Sequence, residues 1–529
     1  MDGVVTGRGM KTAFAIAMLA VASAVLPAAA QADACSATDG ASLTTGLANI
    51  NCSFITLAAG TYTSASGFTA PARSVSIAGP GSSSTNITRS GAGDVFTVAS
   101  GATLTLGGVS LGGASDGAGL SVTGTGVASL SNSLVGVNTT TGNGAGINFS
   151  GATLNVANTV ITANSSAGDG GGFENSGIGT ANFHEVLFTE NSALGSGGAA
   201  DVSGALGTTN FKNVTFTANL ANADGGAVRS GTATATTNLN NVTIASNTAD
   251  ADNTGGGDGG GISNSGGTMT VANSIVANNA ATGGGAPDCD TAVASPLTRI
   301  GYELIRSATG CTFGGTGDSA AGYQTGVDPL LGPLDTNGAL TLPTMALLVG
   351  SPAVNAGNPA TPTGSSGTCE VIDQRTRPRS AGALPCDLGA YEAQPDVCHT
   401  IFRAIGIGET TPITLDCAGD PFVYSIVSPP THGSLSGFDA MTGDVTYTPN
   451  AGFTGTDSFT FAAVNGPLSS GPWSVTFSIA GPPGGTPDQP GVPERGFNLK
   501  KALKRCKKVP KGPKRTKCIK KAKKRAKSV

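Results

Sequence analysis

The chain has 529 residues, enough for two or three domains. Charged residues make up only 12% and aromatic residues 5%, which excludes a chain disordered by its charge and is atypical of a cytosolic enzyme. The net charge of −4 hides an asymmetry. Of 29 Lys and Arg, 16 lie from Lys500 onward, where no acid occurs, which leaves 13 basic against 33 acidic side chains elsewhere, a net of −20.

Residues 1–32 have the pattern of a secretory signal peptide. Arg8 and Lys11 precede an apolar, alanine-rich run over residues 13–30, which ends in the small residues that cleavage requires. A membrane helix is the alternative, but the run is only weakly apolar, and no later apolar span is long enough to cross a bilayer. We expect an exported protein, extracellular or at the cell surface, with no membrane-spanning segment in the mature chain.

A unit of 26 to 32 residues recurs between about Leu106 and Ala280. Each copy carries an asparagine that ends a short apolar run, at Asn138, Asn164, Asn191, Asn219, Asn247 and Asn279. Six residues earlier stand Asn132, Asn158, Glu185, Asn213, Asn241 and Asn273, and two before each of these is an apolar residue. Each copy opens with a glycine-rich turn followed by an apolar residue, at Leu120, Ile147, Phe173, Ala200, Val228 and Ile262. A fixed period of this length indicates a stacked repeat.

The runs within each unit predict strands. They are short, alternate apolar residues with Thr, Ser or Asn, and are bounded by Gly, Asn or Asp. Three strands per unit, with no room for a helix, predict an all-β fold, a right-handed parallel β-helix with three short sheets. Equivalent apolar residues should stack as interior columns and the asparagines as an amide ladder, while glycines supply positive φ at the turns.

The first coils are less regular. The strings ITLAAGTYT from Ile55, SVSIAGPGSSSTNI and VFTVASGATLTLGGVSL resemble the beginning of pectin-lyase-like β-helices, and Leu106 and Leu111 are in register with the later columns. The paired GGAΦ and FxxN motifs resemble repeats of the chlamydial-type polymorphic outer membrane proteins.

The segment after the repeats resembles the closing part of a bacterial surface family called choice-of-anchor Q, through PDCD, IGYELI, VDPLLGPLDTNGALTLPTMALLVGSPAVNAGNP and CDLGAYE. Together these resemblances cover residues 35–393. They imply an exported, cell-surface β-helix with variable anchoring, and they do not imply a known reaction. We expect the closing segment to cap the last coil, whose edge would otherwise pair with another chain.

The period ends near Cys398, and alternating strands follow. YTPNAGFTGTDSFTF, from Tyr447, resembles bacterial immunoglobulin-like or cadherin-like modules. This implies an Ig-like β-sandwich with Phe459 and Phe461 in its core and Asp457 in a turn, and with too few carboxylates for an intermodule Ca²⁺ site. The predicted organisation is therefore signal peptide 1–32, β-helix with its caps 33–396, Ig-like domain 397–480, Pro/Gly linker 481–497, and a Lys/Arg-rich tail 498–529 that is helical or disordered.

The ten cysteines fall in five close couples whose spacing matches no zinc motif. Sequential disulfides fit an exported chain better than free thiols do, although connectivity does not follow from sequence alone. The couples are Cys35 with Cys52, Cys289 with Cys311, Cys369 with Cys386, Cys398 with Cys417, and Cys506 with Cys518.

Candidate chemistry lies in the residue after each turn's apolar residue, which should point outward. This places Glu174, Asp201 and Arg229 on successive rungs. Glu174 and Asp201 are candidates for an acid/base pair or, with Asp169, for ligands of Ca²⁺ before an acidic polysaccharide, with Arg229 as the base. The interpretation we favour is an Asp201–Arg229 salt bridge on a solvated face, with aspartates such as Asp169 capping the glycine turns. The NTD, GHG and RIK strings of polygalacturonases are absent, and GGGDGGGI departs from the Ca²⁺ nonapeptide. We predict no resident cofactor.

Two functions from different classes remain. The first is a structural or adhesive surface protein that binds extracellular or cell-wall polysaccharide or another anionic polymer, retained partly by its cationic tail. The second is a polysaccharide lyase or glycoside hydrolase acting on the β-helix face. Nucleic acid is not an expected partner, because an exported basic tail meets wall polymers or lipid headgroups first. A solvated tail without a partner is the remaining alternative.

Overall fold

The structure, a computed structural model, describes residues 34–481 except 205, 233, 339–341, 366, 380–383, 395–396, 419–421 and 466–467, and three isolated tail positions, 516, 519 and 520. The predicted signal peptide, the Pro/Gly linker, nearly all of the basic tail and the couple Cys506 with Cys518 therefore lie outside the described residues. The described chain is nearly all β. A parallel β-solenoid of about nine turns is followed by an Ig-like β-sandwich.

One α-helix, Gly40–Ala48, lies against the first coil and was not predicted. Asp39 accepts a hydrogen bond from the Ser42 N–H at 2.8 Å, and Ser42 Oγ accepts one from the Asp39 N–H at 3.0 Å, a reciprocal capping box. Leu43 and Leu47 are buried with the apolar residues of the first coils. The helix thus covers apolar surface that no preceding coil covers among the described residues.

Three parallel sheets build the solenoid. The nine-stranded sheet holds the strands that follow the glycine-rich turns: Phe68–Thr69, Phe96–Val98, Leu120–Thr123, Ile147–Ser150, Phe173–Asn175, Ala200–Val202, Val228–Ser230, Ile262–Asn264 and Cys289–Thr291. The six-stranded sheet holds two-residue strands after the ladder asparagines: Thr139–Thr140, Ser165–Ser166, Ser192–Ala193, Leu220–Ala221, Thr248–Ala249 and Ala280–Ala281.

The eighteen-stranded sheet is bent into two limbs. Its first limb comprises Ala34–Ala37, Phe54–Leu57, Ser74–Ala78, Thr103–Gly107, Val127–Ser131, Thr236–Asn240, Thr268–Ala272 and Leu297–Gly301. Its second limb comprises Gly60–Ser64, Thr85–Arg89, Ser110–Gly112, Leu134–Gly136, Thr243–Ala245, Ile275–Ala277 and Leu304–Ile305, and three long strands, Thr153–Thr162, Thr180–Thr189 and Thr208–Thr217, run through both. Two of the three predicted apolar runs thus share one sheet, and a short fourth strand completes each middle coil.

The predicted columns are confirmed. Leu120, Ile147, Phe173, Ala200, Val228 and Ile262 pair in one unbroken register. Phe183, Phe211 and Leu239 form a second file, in which the first two rings stack with their centres 5.0 Å apart. Leu106 and Leu111 pair with the coil above, as expected. The core is therefore a stack of equivalent layers, one per coil, rather than a single hydrophobic centre.

The corners of the middle coils need residues in the left-handed backbone conformation, with positive φ. Glycine supplies this conformation at only one type of corner. The glycine-rich turn that opens each copy, abbreviated DG turn although Asn143 and Ser196 replace the aspartate in two coils, uses Gly144, Gly170, Gly197, Gly225 and Gly259, with φ between 64° and 69°. The bend between the two limbs instead uses the residues that precede the ladder position by six, Asn132, Asn158, Glu185, Asn213, Asn241 and Asn273, with φ between 46° and 51°. Asparagine tolerates this conformation better than other non-glycine residues, which accounts for its recurrence here.

The six ladder asparagines are buried and hydrogen-bonded in series. Each Nδ2 donates to the Oδ1 of the next asparagine at 2.8 to 2.9 Å, from Asn138 through Asn279. Asp288 ends the series by accepting from Asn279 Nδ2 at 3.0 Å. The same oxygens accept backbone N–H groups one coil away, so the ladder satisfies polar groups that the turn would leave unpaired.

The closing segment only partly follows the prediction. Phe313 and Gln324 bridge to the last coil, as a cap should. The antiparallel strands Leu331–Asp335 and Thr344–Leu347 follow, and the described residues within 363–365, 367–379 and 384–393 then turn back along the outside of the middle coils. The Arg379 guanidinium, fully buried, bonds Glu392 Oε2 at 3.1 Å and Asn213 Oδ1 at 2.9 Å. This segment is therefore a lateral strap as well as a cap.

The second unit is a β-sandwich. One sheet holds Ile401–Gly406, Trp473–Ala480, Gly455–Asn465 and Val423–Ser428, with Leu468–Ser469 on its edge, and the other holds Thr411–Thr414, Asp444–Pro449 and Gly433–Ser436. Val397–Cys398 pairs with Cys417–Ala418 beside them. Phe459 and Phe461 are fully buried, as expected.

Asp457 is a correction, because it lies in a strand rather than a turn and is only 3% exposed. It accepts the Tyr447 hydroxyl at 2.7 Å and the His432 N–H at 3.0 Å. Burial raises the pKa of Asp457, but these hydrogen bonds outweigh burial and leave the pKa lowered.

Four of the five predicted disulfides lie in the described chain, and all four are formed. Cys35–Cys52 lies at the first coil, Cys289–Cys311 at the last, Cys369–Cys386 in the strap, and Cys398–Cys417 in the Ig-like unit. The described repeats between the first and last coils contain none, because stacking already holds them.

Candidate functional site

The predicted acidic set lies on the nine-stranded sheet. Glu174 pairs in register with Asp201, and Asp201 with Arg229, so the three occupy successive rungs, with about 4.8 Å between neighbouring strands. Ser263 and Asp290 continue the row on the following rungs. The sequence period therefore brings these side chains together.

The prediction that this row lies on a solvated face is wrong for Glu174 and Asp201. Glu174 is 1% exposed and Asp201 0%, although both belong to the row predicted to point outward. The DG turns press against the row from one side. A Cβ added to Gly197 would lie 2.8 Å from the Asp201 Cβ, and one added to Gly144 would lie 2.9 Å from the Glu174 Cβ. Because only glycine fits so close, the turns shield the two carboxyl groups.

The predicted salt bridge is present. Arg229 Nη1 lies 3.1 Å from Asp201 Oδ1 and 3.9 Å from Asp169 Oδ2. The Ser203 hydroxyl donates to Glu174 Oε1 at 2.5 Å, and the Glu174 and Asp201 carboxyl groups are in hydrogen-bonding contact. Glu174 Oε2 and Asp201 Oδ2 receive no N–H or O–H donor from the described part of the chain. A proton on Glu174 allows it to donate to Asp201.

Burial, and next the negative charge of Asp201, raises the pKa of Glu174 to about 9. Burial also raises the pKa of Asp201, but the positive charge of Arg229 opposes this rise. At neutral pH Glu174 therefore carries a proton, while Arg229 stabilises the anionic form of Asp201.

A protonated carboxyl group beside a carboxylate is the arrangement that acid/base catalysis uses. A substrate atom must also reach both groups, and Glu174 and Asp201 are closed to solvent. The geometry is that of a buried, structural charge cluster.

Two of the candidate cation ligands, Asp169 and Asp201, both lie beside the Arg229 guanidinium. Asp169 Oδ1 accepts the Ser196 N–H at 2.7 Å, which makes it a turn cap, as the favoured interpretation held. Asp224 and Asp258 cap the same turn in other coils, accepting backbone N–H groups at 3.0 and 2.8 Å. Among the described residues no group of three or more His, Cys, Asp or Glu could hold a metal ion.

Sequence reasoning missed a pocket on another face. It has a volume of about 210 Å³ and lies between the outer face of the first limb and the strap loop, residues 363–365, 367 and 368. Its polar lining comes from Asn210, Asn238, Asn240, Thr270, Lys212 and Ser365, and its apolar lining from Ala272 and Ile300. The recurrence of outward asparagines at Asn155, Asn182, Asn210 and Asn238 was the available signal for the solenoid wall of this pocket.

The strap loop is held over the first limb by side chains of the solenoid. Lys212 Nζ donates to the Gly364 carbonyl at 2.8 Å and forms an ion pair with Glu370 at 3.0 Å. Asn240 Nδ2 donates to the Thr368 carbonyl at 2.9 Å. More than 120 residues of sequence separate these partners, so no local pattern announces the contact.

Comparison with known proteins locates one family. No curated protein matches the chain. No helix within the described residues is long and apolar enough to cross a membrane. The Ig-like unit, the four described disulfides and the solenoid are together compatible with an extracellular, surface or adhesive protein. Residues 400–478 match the family described as Bacterial Ig domain, which agrees with the sandwich that these residues form.

Proposed function

We propose that this protein is exported and associated with the bacterial cell surface, where it acts as a structural or adhesive rod that binds envelope or extracellular polymers and is retained partly by its cationic tail. The observation that carries the proposal is the unbroken stack of about nine coils. At about 4.8 Å per coil it forms a rigid rod ~40 Å long, which suits extended contact with a polymer.

Charge supports the retention step. The tail from Lys500 onward carries 16 of the 29 basic residues, while the remainder of the chain has a net charge of −20. An anionic wall polymer or headgroup attracts the tail and repels the acidic remainder, which orients the rod away from the surface. The resemblances to pectin-lyase-like β-helices, polymorphic outer membrane protein repeats and choice-of-anchor Q proteins point the same way. Export by residues 1–32 completes the proposal.

The alternative of a polysaccharide lyase or glycoside hydrolase depends on Glu174, Asp201 and Arg229. Their burial and mutual pairing speak against it, because a substrate would have to displace the DG turns before reaching either carboxyl group. The adhesive function therefore has the better support.

Retention on bacterial wall fragments tests the proposal. Full-length protein should bind at low ionic strength and be released by about 1 M NaCl, which shortens electrostatic screening to ~3 Å. A variant with every tail Lys and Arg replaced by Gln should be retained less at low salt. The matched control replaces the same number of Ser and Thr in the repeats' exposed turns by Gln. Salt-resistant retention that the tail variant shares would overturn tail-mediated anchoring.

A further inference from the structure

The pocket on the first limb has an amide wall of repeated geometry. Asn182 donates to Asn155 at 3.0 Å, Asn210 to Asn182 at 2.8 Å and Asn238 to Asn210 at 2.8 Å, and the Thr270 hydroxyl donates to Asn238 at 2.8 Å. A primary amide has two N–H donors and two acceptor lone pairs. The ladder uses one of each at Asn210 and Asn238. Within the described chain this leaves one donor and one acceptor on each amide for a ligand.

The opposite wall is fixed before any ligand arrives. Gly367 accepts hydrogen bonds from Asn358 Nδ2 at 2.6 Å and Asn273 Nδ2 at 3.2 Å, and Lys212 and Asn240 hold the other side of the loop. A Cβ on Gly367 would lie 2.8 Å from Ile300, so the loop sits tightly against the solenoid. A pocket with both walls fixed loses little entropy when it binds.

The charge of the pocket selects a neutral ligand. Among the described residues that line it, Lys212 is the one cation, and the ion pair with Glu370 at 3.0 Å neutralises it. An anionic ligand would have to compete with Glu370 for this lysine, and a cation would find no carboxylate in the part of the lining that the structure describes. What remains are amides and hydroxyls, which match the hydroxyl groups of a polyol.

The size of the pocket limits the ligand to one ring. Its volume of about 210 Å³ is below the ~300 Å³ at which pockets for drug-sized ligands begin. Ala272 and Ile300 supply an apolar patch for the C–H groups of such a ring. The ladder continues to Asn155, which is exposed and lies outside the pocket, so that amide takes no part in holding the bound ring.

We propose that this pocket binds a neutral sugar ring of a glycan chain, with the free amide valences of Asn210 and Asn238 bonded to the sugar hydroxyls. The inference rests on the proposed function, for which it names the ligand class and the site. It moves the recognition surface from the acidic row of the nine-stranded sheet to the first limb of the eighteen-stranded sheet.

Calorimetric titration of the full chain with neutral oligosaccharides tests the site. The probes are cellohexaose, laminarihexaose, maltohexaose and mannohexaose, with trigalacturonate as the acidic counter-probe. At least one neutral probe should bind, and Asn238→Ala should weaken it about tenfold, as the loss of one or two hydrogen bonds predicts. Ser365→Trp, on the exposed strap loop, should fill the pocket and abolish binding without disturbing the ladder.

Asn155→Ala is the matched control, since it removes a ladder amide outside the pocket and should leave binding unchanged. Circular dichroism should show all three variants folded. The proposal fails if no neutral probe binds, if Ser365→Trp binds like the wild type, or if trigalacturonate is preferred. Ser365→Trp should still be retained on wall fragments at low salt. A wild-type chain that binds no neutral probe but is retained on wall fragments in a salt-sensitive way would therefore overturn only this inference, whereas undiminished retention of the tail variant would overturn the proposed anchoring alone.

Discussion

Glu174→Gln should remove a pH-dependent loss of stability from the solenoid. Burial and the charge of Asp201 raise the pKa of Glu174 to about 9 in the folded chain, against 4.5 for a free side chain. The contribution of protonated Glu174 to the free energy of unfolding is fully present below the unfolded pKa of 4.5, and it is lost as pH rises through the folded pKa. Between these values the folded state holds a proton that the unfolded state has released, so stability falls by about 1.4 kcal/mol per pH unit.

From pH 5 to pH 8 this one group therefore costs the wild type ~4 kcal/mol of unfolding free energy. Glutamine imitates the protonated carboxyl group, because its amide can accept from Ser203 and donate to Asp201. The variant should match the wild type near pH 4 and exceed it increasingly towards pH 8. Glu303, buried and with its pKa raised to about 8, adds a fall of the same sign in both proteins and cancels in the comparison.

Urea unfolding at several pH values, followed by far-UV circular dichroism, measures this difference. The single tryptophan, Trp473, lies in the Ig-like unit, so its fluorescence reports that unit separately and should not change. Glu190→Gln, at an exposed position in the same coil, makes the same chemical change without burial. A wild-type to Glu174→Gln difference that stays flat from pH 5 to pH 8, or a variant less stable at pH 8, would refute the reasoning.

Three further substitutions test the stack and its strap. Asn219→Ala interrupts the buried ladder and should cost about 3 kcal/mol, because polar groups in the neighbouring coils lose their partner; an unchanged urea midpoint would contradict the ladder's role. Phe211→Ala should cost about 3 to 5 kcal/mol through the cavity it leaves, measured in the same way, whereas a cost below 1 kcal/mol would mean that the column collapses freely. Arg379→Met removes the buried guanidinium that bonds both Glu392 and Asn213, at a cost of about 3 to 5 kcal/mol; limited proteolysis should then cut within the strap first, and an unchanged cleavage pattern would contradict its attachment.

The columns and the asparagine ladder were predictable from the sequence because translation along the solenoid repeats each environment. Phe183 and Phe211 stack because they are 28 residues apart in a chain whose coils there have that length. The N-terminal helix gave no such signal, since Gly40–Ala48 occurs once and is poor in charged and strongly apolar residues. Periodicity identifies residues that recur in every coil, and it gives no information about an element that occurs once.

The burial of Glu174 and Asp201 was missed for a different reason. Alternation along a strand tells which face a side chain occupies, but not whether a neighbouring turn folds over that face. The strap was missed because its contacts, such as Gln374 with the Val186 carbonyl, join residues 188 positions apart. The pocket depends on both walls, so only the asparagine wall could have been found from the repeat.

The most direct test incubates the full chain with neutral and acidic polysaccharides and measures, in the same sample, binding of the polysaccharide and its cleavage. We expect the polysaccharide to sediment with the protein and to remain uncleaved, with no new reducing ends and no unsaturated products. Formation of either product, abolished by Asp201→Asn or Glu174→Gln, would contradict the account and make the buried carboxyl pair a catalytic site.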